Sequence, residues 1–161
     1  MIRQYRISRI GFLWKSYYIY ENDTLLYKAE RAGSLMLRGY ILYTYAGDRV
    51  ISVMRKSIVG ISGIDISDSD NRIIGDLQHN FSFGAQKFVA HTADGSYEVK
   101  GNFKNSEFTI FLNDNDIGKV SRNRSDSRNY IGLAVHDNAN QEVVLGLILS
   151  IILNINYKNK A

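Results

Sequence analysis

An apolar stretch near the end of the chain is the feature around which the rest of the sequence is organised. Residues 143–157 carry no charge, and most of them are apolar. If they form a helix, apolar side chains cover every face of it. A helix with no polar face must be buried, and a membrane span needs about 20 apolar residues. We therefore predict an enclosed helix from Gln141 to Leu153, with Asn138 or Asn140 as its N-cap. A strand, favoured by the β-branched residues, and a short membrane anchor are the alternatives.

The sequence before the helix repeats a hairpin pattern. Short alternating or β-rich runs flank turn residues that recur every 22 to 25 positions, which is typical of antiparallel strands. The five turn residues are Asp23, Asp48, Asn71, Asp94 and Asp116. Gly47-Asp48 and Asp94-Gly95 are strong tight-turn pairs, whereas Asn22-Asp23 and residues 113–116 are weaker ones. The pattern predicts five hairpins and therefore ten strands.

Two more strands complete the predicted sheet, one at residues 130–135 and one at residues 4–7. Twelve antiparallel strands favour a closed barrel, because closure removes exposed edges. Barrels of about eight strands are filled by their own side chains, and barrels of about sixteen strands enclose a channel. A barrel of twelve strands is intermediate in width and has room for one helix. A helix of about 13 residues and a strand of about six both span roughly 20 Å. We predict one domain, 1–161, that is mainly β, with a central hydrophobic C-terminal helix.

Small residues are predicted to permit close packing in this barrel. In the helix, Gly146, Ser150 and Asn154 recur at four-residue spacing and would let a strand approach. In the wall, glycines either help the strands curve and approach the helix or serve as simple turn and bulge residues. These wall glycines are Gly60, Gly63, Gly75, Gly118 and Gly132.

Composition and motifs argue against catalysis. The chain has no cysteine, which excludes disulfides, thiolate metal sites and a cysteine nucleophile. The sequence contains no serine nucleophile elbow and no glycine-rich phosphate loop. The acidic cluster lacks the glycine and terminal glutamate of a calcium loop, and the histidines lack metal-motif spacing. These residues are Asp65, Asp68, Asp70 and Asp76, with His79, His91 and His136. We expect no enzyme, no metal and no cofactor.

Charge points instead to binding. The net charge is +4 and the pI is about 9.2, which favours partners that carry phosphate. Cationic residues follow several turns at the ends of the predicted strands, and they would form one patch if those ends share a rim. The expected site for a phosphate-bearing partner comprises Arg49, Arg55, Lys56, Arg122, Arg124 and Arg128. The N-terminus lacks an apolar signal core, so we expect a cytoplasmic protein, with peripheral association with the membrane as a further expectation.

The second half of the chain resembles a known family. Residues 101–110 are similar to a Gly-x-Phe-x-x-x-x-aromatic-x-Ile segment of the LURP-one-related proteins, and residues 117–122 to the strand that follows it. The strand at 130–135 and its helical tail resemble the end of the same family. These proteins group with the tubby C-terminal domain and the phospholipid scramblases. Residues 153–156 depart from the pattern, because family helices often close with an acidic residue.

The resemblance implies a twelve-stranded barrel around a central helix, and it implies a function. Tubby domains bind phosphoinositide headgroups through basic residues on mid-barrel strands, and Arg49, Arg55 and Lys56 are the nearest counterparts here. We therefore expect a non-enzymatic module that recognises anionic phospholipid headgroups at the cytosolic membrane face. Nucleic-acid binding, a protein scaffold and scramblase-like lipid handling are the alternatives. No transmembrane span is expected.

Overall fold

The computed structural model of the protein describes residues 1–10, 16–33, 39–56, 63–82, 85–123 and 130–158. It contains twelve strands, one short 3₁₀ helix at Phe103–Asn105 and one α-helix, α1, at Gln141–Lys158. The strands are β1 Ile2–Ile10, β2 Ser16–Glu21, β3 Thr24–Ala32, β4 Gly39–Thr44, β5 Arg49–Arg55, β6 Ile64–Ser67, β7 Ile73–Ser82, β8 Ala85–Thr92, β9 Gly95–Asn102, β10 Glu107–Leu112, β11 Asn115–Asn123 and β12 Tyr130–His136.

The twelve strands form a closed antiparallel barrel. Each strand pairs with its neighbours in chain order, and β1 closes the sheet by pairing with β12. In this closing pair Ile2 lies opposite His136 and Ser8 lies opposite Tyr130. The strand number and the closed barrel predicted from the repeat are therefore confirmed.

Tight turns lie at one end of the barrel, which we call the turn rim. It comprises the turns of the five hairpins β2–β3, β4–β5, β6–β7, β8–β9 and β10–β11. Asn22 and Asp23 both have positive φ, as do Asn113 and Asp114, and this conformation suits two-residue hairpin loops. The pairs that looked weaker in sequence therefore form tight turns. Asp116, predicted as a turn residue, lies in β11 instead, because the turn comes earlier.

Most of these hairpins contain a bulge beside the turn. The pairing register shifts between Ile19 and Tyr20, between Leu42 and Tyr43, and in two further hairpins, β6–β7 and β10–β11. A bulge increases the local twist and bends the strand. Its repetition at the same end helps a twelve-stranded sheet curve far enough to close.

The helix α1 lies inside the barrel and packs against β4, β5 and β6. Every described side chain from Val143 to Leu153 is buried, which confirms the enclosed helix predicted from its apolar surface. Its start is capped by Asn140, whose Oδ1 accepts a hydrogen bond from the Val143 backbone N–H at 3.3 Å. The helix ends at Lys158, five residues beyond the predicted boundary.

The close approach between helix and wall occurs at Gly146. A Cβ at this position would lie 3.2 Å from Cγ2 of Ile51 and 3.5 Å from Cγ2 of Ile66. Ser150, one turn later, turns its hydroxyl back to donate to the Gly146 carbonyl at 2.8 Å. The small residues of the helix thus let β5 approach, as their spacing predicts.

Most wall glycines serve contacts between strands rather than contacts with the helix. A Cβ on Gly118 would lie 2.9 Å from the Ala134 carbonyl, and one on Gly75 would lie 3.1 Å from Cγ2 of Thr92. Gly60 lies outside the described residues. Close pairing of neighbouring strands therefore depends in part on glycines, which have no side chain at these contacts.

Candidate functional site

The two ends of the barrel differ in charge. Turn chemistry explains the acidic end, because Asp is favoured in tight turns. Ten of the sixteen acidic residues of the chain lie in or beside the turn rim or at the start of α1. They are Glu21, Asp23, Asp48, Asp68, Asp70, Asp94, Asp114, Asp116, Asp137 and Glu142. The positive end of the α1 dipole faces this acidic rim, an arrangement that is electrostatically favourable.

Basic residues lie at the opposite end, which we call the basic rim. The basic rim comprises five residues at or directly after the ends of four strands: Arg9, Arg31, Arg55, Lys56 and Arg122. The four arginines are in phase with buried residues of their own strands, since side chains two positions apart share a face. Their buried neighbours are Ile7, Ala29, Val53 and Val120. The arginines therefore line the mouth of the barrel around the C-terminal half of α1.

Arg55 connects this mouth to the central helix. Its guanidinium donates a hydrogen bond to the backbone carbonyl of Leu153 at 3.1 Å. Leu153 lies in the C-terminal half of α1, near the end of the helix that carries a partial negative charge. Arg55 therefore ties the wall to the helix and places a positive charge near the negative end of its dipole.

Lys56 is already neutralised by carboxylates of neighbouring strands. Its Nζ lies 3.0 Å from Oδ2 of Asp76 and 3.7 Å from Oδ1 of Asp65. The hydrogen bond with Asp76 raises the pKa of Lys56, and the charge of Asp65 adds to the effect. Lys56 is therefore a member of an ion-pair cluster on the outer wall and adds little net positive charge to the rim.

Arg122 and Arg9 are the exposed members of the basic rim. Arg122 is near the end of β11 and Arg9 is near the end of β1, on either side of β12. In the part of the chain that the structure describes, neither forms an ion pair with a carboxylate. An arginine presents five N–H donors in a planar fork that matches phosphate geometry. These two residues are thus available to an anion arriving from outside.

Arg49 does not join this group. It begins β5, at the turn rim, and its guanidinium donates to the hydroxyl of Ser52 at 3.0 Å. Six residues of strand separate it from Arg55, which is about 20 Å at 3.3 Å per residue. Arg124 and Arg128 lie outside the described residues. Arg55, Lys56 and Arg122 of the predicted site therefore lie at the same end of the barrel, but β5 and β11 are six strands apart, on opposite sides of it.

The sequence interpretation missed Arg9 and Arg31. Each lies at the end of a strand that runs away from the turn rim, as Arg55 and Arg122 do. The shared signal is a basic residue at the far end of a strand that runs away from the turn rim, in phase with the buried residues of that strand. Arg49 and Arg55 have the same phase in β5, and only their distance from the turn separates them.

The four residues of the acidic cluster and His79 have structural partners. Asp68 accepts hydrogen bonds from the backbone and side chain of Arg72, and these bonds lower the pKa of Asp68. His79 stacks on Phe88 with ring centroids 4.5 Å apart. Among the described residues no group of three or more acidic or histidine side chains is placed to hold a metal ion.

The sequence and the fold both match known proteins. A family model described as LURP-one-related matches residues 4–152. The chain is also similar to a crystal structure of a protein from Arabidopsis thaliana, with a TM-score of 0.67 and 12% sequence identity. That match covers 96% of this chain and 91% of the other, and at this identity it supports the fold alone. None of the curated proteins compared with the sequence matches it. In the described part of the chain, no helix combines the length and the apolar character that crossing a membrane requires.

Proposed function

The chain belongs to the LURP-one-related family, and from this premise we propose that it is a non-enzymatic module that binds anionic phospholipid headgroups. The basic rim would face the cytosolic surface of a membrane, with the turn rim directed away from it. The protein would associate peripherally and reversibly. Exposed Arg122 and Arg9 would make the first contacts, and Arg55 would support them from within the mouth.

The separation of charge along the barrel axis is the observation that carries this proposal. Ten acidic residues outnumber Arg3, Arg6, Arg49 and Arg72 at the turn rim, whereas the mouth at the other end is lined by arginines. A negatively charged surface attracts one end of such a molecule and repels the other, so it orients the barrel before contact. Each basic residue near an anionic membrane contributes about 1 kcal/mol. Two exposed arginines and their neighbours therefore support weak, salt-sensitive binding.

Vesicle flotation tests the proposal. The protein should float with vesicles that contain phosphatidylserine or a phosphoinositide at low salt, remain unbound with phosphatidylcholine alone, and dissociate as salt rises. Arg122→Gln should reduce flotation, because it removes one exposed charge from the basic rim. Arg72→Gln is the matched control, since it makes the same change at the turn rim.

Two results would count against headgroup binding. Equal flotation with neutral and anionic vesicles would remove the electrostatic basis of the proposal. Displacement of the protein from anionic vesicles by single-stranded oligonucleotides at low concentration would favour the nucleic-acid alternative, since both ligands would then compete for the same arginines.

A further inference from the structure

A groove lies on the outer wall of the barrel, and one end of it reaches the β2–β3 turn of the turn rim. Its floor is the outer face of β12, where Gly132 and Ala134 leave the strand nearly bare. Residues of β1 and β2 form one side, and residues of β11 form the other. The groove has a volume of about 450 Å³, within the range of small-molecule sites.

Gly132 is the residue that opens this groove, and the fold does not require a glycine there. A Cβ at position 132 would meet only the backbone and hydroxyl oxygens of Ser121, at 3.6 Å, which is ordinary contact. Gly118 differs, because a Cβ there would collide with the Ala134 carbonyl at 2.9 Å. Glycine within a strand weakens it and often marks a close approach of a ligand or another backbone. At position 132 the missing side chain creates space outside the barrel.

Two cations stand on opposite sides of the floor. Arg6 pairs across the sheet with Gly132, and Lys119 pairs from the other side with Ala134. The two outer strands are about 10 Å apart, a gap that both long side chains can span to reach one anion. Lys119 is exposed, and within the described residues it forms no ion pair with a carboxylate.

The arginine is positioned in advance by an aromatic ring. The Arg6 guanidinium lies over the Tyr20 ring at 4.6 Å and forms an ion pair with Asp23 at 3.1 Å. The Asp23 carboxylate is 87% exposed, so this pair contributes little and can be exchanged for a stronger anion. A doubly charged phosphate is such an anion, and it accepts several hydrogen bonds from a guanidinium fork.

We propose that this groove binds a phosphate monoester carried on a polyhydroxylated ring, such as a sugar phosphate. The phosphate lies between Arg6 and Lys119, and the ring lies on the bare floor at Gly132 and Ala134. The polar side chains of Gln4 and Ser121, which also line the groove, are donors and acceptors for ring hydroxyls. The same chemistry occurs in free sugar phosphates and in phosphorylated inositol headgroups.

Calorimetric titration tests the site with defined probes. Glucose 6-phosphate, ribose 5-phosphate and inositol 1-phosphate are titrated separately, with inorganic phosphate and glucose as partial ligands. At least one ring phosphate should bind at a single site about tenfold more tightly than either partial ligand. Lys119→Gln should weaken that binding about tenfold, because a charge-assisted hydrogen bond is lost. Lys28→Gln, the same change on β3, should leave it unchanged.

Gly132→Val gives the sharper result, because its side chain would occupy the floor and its Cβ makes only ordinary contacts with the described residues. Its thermal midpoint should equal or exceed that of the parent protein, while ring-phosphate binding is lost. The site is ruled out if none of the three ring phosphates binds, or if a folded Gly132→Val protein binds them as the parent does.

The source of the ligand is assigned by flotation with vesicles containing phosphatidylinositol 4-phosphate. If Gly132→Val weakens flotation with these vesicles more than with phosphatidylserine vesicles of equal charge, the groove takes the lipid headgroup. If Gly132→Val floats as the parent protein does with both, the groove takes a free sugar phosphate. Arg122→Gln weakens vesicle binding through the basic rim alone, so failure of the groove and failure of the rim give different results.

Discussion

Leu145 and Leu147 lie on opposite sides of α1, because successive helical residues are rotated by about 100°. Both side chains are fully buried. A helix lying on the outside of a sheet would expose one of them, whereas a helix inside a closed barrel exposes neither. Alanine at either position should therefore destabilise the protein by a similar amount.

The size of the effect follows from the buried carbon atoms. Leucine to alanine removes three of them, which costs roughly 2.4 kcal/mol at about 0.8 kcal/mol each. If about 50 Å³ of the space stays empty, the cavity adds roughly 1.2 kcal/mol at about 24 cal/mol per Å³. Each variant should thus lose about 3.5 kcal/mol, a large part of the 5–15 kcal/mol that typically stabilises a domain. The thermal midpoint should fall by about 7–14 °C.

Urea unfolding followed by far-ultraviolet circular dichroism measures both losses. The matched control is Ile73→Ala, which also removes three carbons but from a side chain that is 65% exposed. The control should lose less than about 1 kcal/mol. If Leu145→Ala or Leu147→Ala behaves like the control while the other does not, α1 has a solvent face and the enclosure is refuted.

Three further predictions concern single contacts. Arg55→Met removes the hydrogen bond from β5 to the Leu153 carbonyl of α1 and should cost about 1–3 kcal/mol in urea unfolding; no loss would show that the helix does not depend on this contact. Glu21 has a lowered pKa because an arginine donates to it, so its stabilisation is present above its ordinary pKa of 4.5 and is lost as pH falls below that value. In Glu21→Gln the thermal midpoint should fall less steeply over that acid range, and an unchanged slope would contradict the assignment. Gly118→Ala should lower the thermal midpoint, whereas Gly132→Ala on the neighbouring strand should preserve or raise it; equal effects would mean that the two sites are equally crowded.

The barrel was predictable because its signals are local. Asn22-Asp23 marks a turn within two residues, and each hairpin strand pairs with the residues that immediately follow its turn. The enclosed helix was predictable because 143–153 offers no polar face. The position of the fifth turn was wrong, since 113–116 contains four turn-forming residues and the bend uses the first two. The end of the helix was also wrong, since α1 continues to Lys158.

The site was less predictable because it depends on register and phase. Lys56 forms ion pairs with residues of β6 and β7, and the sequence around Lys56 does not predict its contact with Asp76. Arg49 and Arg55 look equivalent in sequence, yet one strand length places them at opposite rims. The groove exists because β12 has no large side chain on its outer face. The sequence alone does not show whether a glycine is required by a neighbouring strand or leaves an open space.

The pairing of β1 with β12 has a consequence for biosynthesis. The hairpins form from neighbouring residues, but closure joins Ile2 to His136 and must await the synthesis of β12. Contacts between distant residues slow folding. Until β12 emerges, the nascent chain therefore has two unpaired sheet edges, and until α1 emerges it has a hollow lined by apolar side chains. Such an intermediate is prone to aggregation, so chaperones that shield nascent chains should raise the yield of this protein.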